Sequence, residues 1–109
     1  MKILKIDKRK VPYGFRIELT GDMFTFYVKY NARGDYYTVD LWAGEEVLTK
    51  GEKIVLNSPL FQGMSGERRP DVMVMPFDYT ATVERVGYRE MGTPVALYLL
   101  GGDIYDGDF

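Results

Sequence analysis

Apolar and polar residues alternate along the first half of the chain, which is the pattern of β-strands with one buried face. The alternation begins in residues 14–30, where Phe15 and Ile17 share one phase and Arg16 takes the other, and returns in residues 36–42. Residues that favour turns separate these segments. The sequence therefore predicts a β-hairpin over residues 14–30 that a third antiparallel strand extends into a meander.

The middle of the chain is less regular. Short apolar segments at residues 47–49 and 54–56, separated by a Lys- and Gly-containing stretch, predict two short strands. Residues 57–66 show no alternation and predict an extended connection. Alternation returns in residues 72–77, and because Pro76 has no N–H to donate, this segment is predicted to lie at a sheet edge.

The last part of the chain completes the predicted fold. Residues 79–86 are compatible with a strand or with one helical turn, whereas residues 95–100 are apolar in both phases, which is typical of a central strand covered on both faces. About seven strands in this length predict an all-β fold, either a small antiparallel β-sandwich or a closed barrel.

Length and charge distribution suggest one domain over residues 1–109, with a core over about 12–101. The core lies between a basic N-terminal end, residues 1–11, and an acidic C-terminal tail, residues 102–109. These ends are either solvated or used for docking to neighbours. There is no apolar run suited to a signal peptide or a membrane span, so we expect synthesis in the bacterial cytoplasm and no membrane insertion.

The chain contains no Cys and no His, which removes thiol nucleophiles, imidazole acid–base chemistry and zinc sites built on nitrogen or sulfur. An enzyme would have to use carboxylates, Tyr or Lys. Asp40 and Glu18 are carboxylates in the polar phase of their strands, but nothing in the sequence brings them together. We therefore predict a protein that is not an enzyme and needs no metal or cofactor. A net charge of −2 also argues against nucleic-acid binding.

Two short motifs have plain structural explanations. Arg33-Gly34-Asp35 spells an adhesion tripeptide, but these residue types also suit a hairpin turn, with Gly34 free to take positive φ and Asp35 closing the turn. The segment Gly101–Asp108 has some similarity to calcium loops but lacks their ligand spacing. We expect a turn in the first case and a terminal tail in the second.

Two sets of residues are candidates for an interaction surface. The outward phase of the first sheet carries large rings, which suit a sugar platform or a protein interface unless a second layer or residues 57–77 cover them; they are Tyr27, Tyr36 and Trp42. The irregular middle of the chain supplies Met and Arg residues, which are enriched at protein interfaces; they are Met64, Arg68, Arg69, Met73 and Met75.

Several landmarks in the order of the strands carry a family resemblance. They are Phe15–Leu19, Phe24–Asn31 and Tyr37–Leu41, then Gly51, Leu60, Pro70, and Gly92 ahead of Val95–Leu99. Over residues 12–101 this order resembles the baseplate plug proteins of contractile-tailed phages of the cyanophage type. Members of that family often have Trp near position 37, where this chain has Tyr. The resemblance implies a small β-rich structural protein near the hub and tube of a phage tail.

We therefore hypothesise a structural component of a phage or prophage tail baseplate, located in the virion. Its expected partners are other tail and baseplate proteins such as the hub and the tube, and self-association into a homo-oligomer is left open. The alternative is a carbohydrate- or receptor-binding β module that uses Tyr27, Tyr36 and Trp42 as a ring platform.

Overall fold

The computed structural model of the protein describes residues 2–64 and 69–101. These residues contain seven β-strands, all paired antiparallel, and no helix. The strands are β1 (Lys2–Leu4), β2 (Tyr13–Leu19), β3 (Asp22–Asn31), β4 (Tyr36–Ala43), β5 (Glu46–Lys53), β6 (Met73–Asp78) and β7 (Val95–Leu100). They form a three-stranded sheet in the order β1-β7-β6 and a four-stranded sheet in the order β2-β3-β4-β5. The predicted all-β fold is thus confirmed as a two-sheet sandwich, and the closed barrel is wrong.

The four-stranded sheet is the predicted meander. Thr20 and Gly21 connect β2 to β3 with φ of 50° and 90°, the pair of positive values that a tight type I′ hairpin turn requires. The register places Phe26 between Phe15 of β2 and Leu41 of β4. Side chains of this phase point inwards, and Phe26 is fully buried.

β5 corrects the prediction of two short strands. It is one strand over Glu46–Lys53 that includes residues 47–49, whereas residues 54–56, the second predicted strand, follow β5 and form no strand. The pairing of β5 with β4 shifts register between Val39 and Leu41. Gly51 lies in the shifted stretch with φ of 70°, and its N–H donates to the Asp40 carboxylate at 2.7 Å. The Lys-Gly stretch therefore marks a β-bulge inside a strand, a common use of glycine, instead of a break between two strands.

The three-stranded sheet has β7 at its centre, as the sequence predicted. Leu97 points into the core, and Ala96 and Tyr98 on the other face are also buried. The edge position predicted for the strand with Pro76 is confirmed too. Chain segment 57–60 runs beside this edge, where the N–H of Asn57 donates to the Pro76 carbonyl and that of Leu60 to the Val74 carbonyl, both at 2.8 Å.

β1 was not foreseen from the sequence. Lys2–Leu4 pairs with β7, so that Ile3 lies opposite Tyr98 and Leu4 opposite Leu97. Three residues are too few to show alternation, and their pairing partner lies at the other end of the chain. Just after β1, Ile6 is buried in the core between the sheets.

The core lies between the inner faces of the two sheets, and aromatic rings pack against each other within it. The rings of Phe26 and Phe61 meet edge-to-face with centroids 5.5 Å apart, and Phe15 packs on Phe26 at the same distance. Val74, Leu97 and Leu99 supply the opposite layer. Buried rings and aliphatic side chains from both sheets thus form one hydrophobic core.

Residues 79–86 form neither the strand nor the helical turn that were considered; they fold as an irregular loop around Asp78. The Asp78 carboxylate accepts hydrogen bonds from the backbone N–H groups of Thr80, Thr82 and Val83 at 2.8–3.0 Å. Burial raises the pKa of Asp78, but a hydrogen bond from the Thr80 hydroxyl and these backbone bonds together outweigh it and lower the pKa to about 2. A carboxylate thus replaces the ladder bonds that a strand would have made.

Candidate interaction surfaces

The outer side of the three-stranded sheet is apolar. We call it the apolar face, and it consists of Ile3, Met73, Met75, Phe77, Ala96, Tyr98 and Leu100. Ile3, Met73 and Phe77 are 51%, 41% and 39% exposed. No position of this face carries a charge. Contiguous exposed apolar surface often marks an interaction site.

The apolar face follows from the alternation of β6. Val74 and Asp78 point into the fold and are buried, so Met73, Met75 and Phe77 must point outwards. Phe77 packs edge-to-face on Tyr98 of β7, with ring centroids 5.3 Å apart. This contact joins the outer phases of β6 and β7.

The outer side of the four-stranded sheet is different in character. Tyr27, Lys29, Asp40 and Trp42 line a shallow cleft there, which we call the aromatic cleft. Lys29 Nζ lies 3.1 Å from Asp40 Oδ2 and 5.5 Å from the centroid of the Tyr27 ring. The ring of Tyr27 covers Gly14 on the neighbouring strand, where a Cβ would approach it to 3.2 Å. This surface therefore mixes rings with a partly buried ion pair.

Tyr36 does not line the aromatic cleft. It pairs with Asn31, four cross-strand rows from the row that holds Tyr27 and Asp40. Its ring lies under Lys53 Nζ at 4.6 Å, and its hydroxyl accepts a hydrogen bond from Asn31 Nδ2. The structure thus brings together two of the three rings singled out from the sequence, Tyr27 and Trp42.

The Met and Arg candidates also separate. Met73 and Met75 lie on the apolar face, whereas Met64 is half-buried against the core. Arg69 is exposed and lines a groove that Met73 borders at the end of this face. Arg68 lies outside the described residues.

Reasoning from the sequence missed Ile3, Phe77 and Tyr98 as members of a surface. Phe77 shares the phase of Met73 and Met75, and that signal was present in the alternation of β6. Ile3 and Tyr98 join them only through the pairing of β1 and β6 with β7.

The two carboxylates considered for catalysis are far apart. Asp40 pairs with Tyr27, which pairs with Gly14, and Glu18 lies four residues further along β2. That offset alone is about 13 Å, beyond the separation at which paired carboxylates hydrolyse glycosides. Among residues 2–64 and 69–101, no group of three acidic, His or Cys residues is placed to hold a metal ion.

The Arg33-Gly34-Asp35 turn is built differently from the prediction. Asp35 takes the positive φ of 55°, and Asn31 closes the turn by accepting the N–H of Gly34. The Asp35 carboxylate accepts hydrogen bonds from the Tyr30 hydroxyl at 2.6 Å and from Arg85 at 2.8 Å. The bond from Tyr30 is the largest of the interactions that lower the pKa of Asp35. Asp35 therefore ties the β3–β4 turn to the loop after β6.

Most of the calcium-like segment, residues 102–108, lies outside the described residues.

No helix in the described part of the chain is long and apolar enough to cross a membrane. An antiparallel β-sandwich with one apolar outer face is an architecture typical of proteins that bind or assemble with other proteins. The chain belongs to the family of cyanophage baseplate plug proteins: the family model described as "Cyanophage baseplate Pam3 plug gp18" matches residues 1–102. No curated protein and no solved structure matches the chain.

Membership of this family confirms the resemblance seen in the sequence and supports a structural role in the baseplate. It implies association with other baseplate proteins and a location in the virion tail. The family match also includes β1, which lies before the stretch on which the resemblance rested.

Proposed function

We propose that the protein is a non-catalytic plug component of a phage tail baseplate that acts by burying its apolar face against another baseplate protein. The observation that carries this proposal is the composition of that face: Met, Ile and aromatic side chains with no charge among them. Centres of protein interfaces have this composition, because charged groups are costly to desolvate there.

The other outer face is less suited to such burial. Lys29 is about half exposed in its ion pair with Asp40, and Lys50 lines the same cleft. Covering this surface would remove water from charges that gain little in return. We therefore assign the main contact to the three-stranded sheet.

The test uses baseplates assembled by co-expressing the chain with the other baseplate proteins of the same phage or prophage. The double variant Met73→Gln/Phe77→Gln places two amides on the apolar face. Tyr27→Gln is the matched control, because Tyr27 is 37% exposed, close to the 39% of Phe77, and lies on the opposite outer face. Quantitative mass spectrometry of purified baseplates measures how much of each variant is incorporated.

We expect the double variant to lose about ten-fold or more in occupancy, because replacing two interface anchors at about 1 kcal/mol each weakens binding by about 2 kcal/mol, and about 1.4 kcal/mol is a factor of ten. The control is expected to be incorporated normally, and circular dichroism confirms that all variants fold. Normal incorporation of Met73→Gln/Phe77→Gln would disprove the contact. Loss confined to Tyr27→Gln would transfer the contact to the aromatic cleft.

A further inference from the structure

The two sheets are open, so each has two outer edges whose backbone groups could pair with another chain. Three of these edges are shortened, covered or irregular. β1 has only three residues, and segment 57–60 covers the edge of β6, which also contains Pro76. β5 is interrupted by two register shifts and carries Lys50 and Lys53. Such features prevent unwanted strand pairing.

The remaining edge, that of β2, is neither shortened, covered nor irregular. Tyr13–Leu19 contains seven residues, no proline and no bulge, and each residue pairs with β3 in unbroken register. Within the described residues, no backbone hydrogen bond joins another segment to the free side of β2. Phe15 and Ile17 on its inner phase are only half-buried, although they border the core. A further strand would complete their cover.

The outward phase of β2 carries one charge of each sign. Arg16 and Glu18 are exposed, and their partners on β3 are the uncharged Thr25 and Met23. Neither forms an ion pair within the described part of the chain. The two charges lie two residues apart, on either side of Ile17.

We propose that a second copy of this chain pairs antiparallel with β2, about a two-fold axis through Ile17, and joins the two four-stranded sheets into one. In this register Arg16 lies opposite Glu18 of the partner subunit, and Glu18 lies opposite the partner subunit's Arg16. Direct opposition of unlike charges stabilises antiparallel pairs. On the inner face, Phe15 lies opposite Leu19 of the partner subunit and continues the apolar layer.

The charges also select this register. A two-fold axis through Arg16 would place Arg16 opposite its own copy, and an axis through Glu18 would place Glu18 opposite its own copy. Like charges directly opposite are destabilising. A slip of one strand against the other by a single residue would put apolar side chains opposite charged ones. The register centred on Ile17 avoids both, and it makes the edge self-complementary, as a two-fold interface requires.

The test is charge reversal with rescue, measured by sedimentation velocity from low to high micromolar concentrations. Arg16→Glu and Glu18→Arg each create two like-charge oppositions, and we expect the dimer Kd to rise about ten-fold or more. The double variant Arg16→Glu/Glu18→Arg restores unlike pairs and is expected to return the Kd to that of the original chain. Both positions are exposed and face uncharged residues, so the monomer fold is expected to persist.

Amide hydrogen exchange gives an independent readout, because dimerisation should protect alternate amides of β2 as concentration rises. A chain that stays monomeric throughout would overturn the proposal. Protection of β2 only inside assembled baseplates would overturn it as well, because another protein would then supply the added strand. A dimer insensitive to both charge reversals would place its interface elsewhere. These measurements use the isolated chain, so they do not depend on the baseplate contact proposed above.

Discussion

Tyr37 provides the sharpest test of the core, because its hydroxyl is buried and the described part of the chain supplies no partner for it. The side chain is fully buried on the inner phase of β4, and its Oη makes no hydrogen bond to any described residue. Burial raises the pKa of Tyr37 to about 12. The ring packs against Tyr30 with centroids 4.8 Å apart. Tyr37→Phe keeps these ring contacts and removes only the oxygen.

The expected effect is stabilisation. A buried polar group without a partner costs about 1–3 kcal/mol of stability, and the substitution removes this cost. The small cavity left by the oxygen is destabilising and offsets part of the gain, so we expect the free energy of unfolding to rise by about 1 kcal/mol. For a chain of 109 residues this gain corresponds to a rise of about 4 °C in Tm, because the unfolding entropy is about 2.1 cal/mol/K per residue. Differential scanning calorimetry resolves a shift of this size.

Tyr30→Phe is the matched control on the neighbouring ring. The Tyr30 hydroxyl donates to the Asp35 carboxylate at 2.6 Å, and this bond, followed by burial, raises the pKa of Tyr30. Removing it should lower Tm, opposite in sign to Tyr37→Phe. A lower Tm for Tyr37→Phe would refute the reasoning, since it would mean that the Tyr37 hydroxyl is hydrogen-bonded in solution.

Two further predictions concern acid stability and the centre of the sandwich. Hydrogen bonds lower the folded-state pKa of Asp35 and Asp78 below the unfolded value of about 4, so their stabilisation is complete above that pH and is lost as pH falls towards 2. Urea midpoints should fall over this window, and fall less steeply for Asp78→Asn. Leu97→Ala should cost about 3 kcal/mol in urea unfolding, because Leu97 is fully buried in the central strand. Val55→Ala, at a 43% exposed position, should change stability by less than about 0.5 kcal/mol; equal effects would contradict the assignment of the core.

The four-stranded sheet was largely predictable because its information is local. The period of two assigns Phe15, Phe26 and Leu41 to one face, and tight turns leave neighbouring strands little choice of partner. Gly51 shows the limit of this reasoning. A glycine within a short polar stretch can end a strand or bulge it, and only the hydrogen bond to Asp40 across the sheet distinguishes the two.

The apolar face was less predictable because it depends on pairing between distant parts of the chain. Met73 and Met75 were recognised from residue type, but Ile3 becomes their neighbour only when β1 pairs with β7, which also pairs with β6. For the same reason, the sequence grouped Tyr36 with Tyr27 as rings of one outward face, whereas the strand register places Tyr36 far from the Tyr27–Asp40 pair along the sheet. Residue type predicted which side chains suit an interface, and long-range strand pairing determines which of them lie on the same surface.

The two proposed contacts use separate parts of the sandwich and are geometrically compatible. Directly opposed residues of paired strands point to the same side of a sheet, so the two-fold axis through Ile17 must run perpendicular to the four-stranded sheet. Such an axis keeps the apolar faces of both copies on the same side of the dimer. Pairing along β2 would therefore leave both faces open towards one neighbour, and a baseplate protein that binds one copy could bind the second through the same kind of contact. A dimer of this form would gain avidity for a symmetric partner without any further interface.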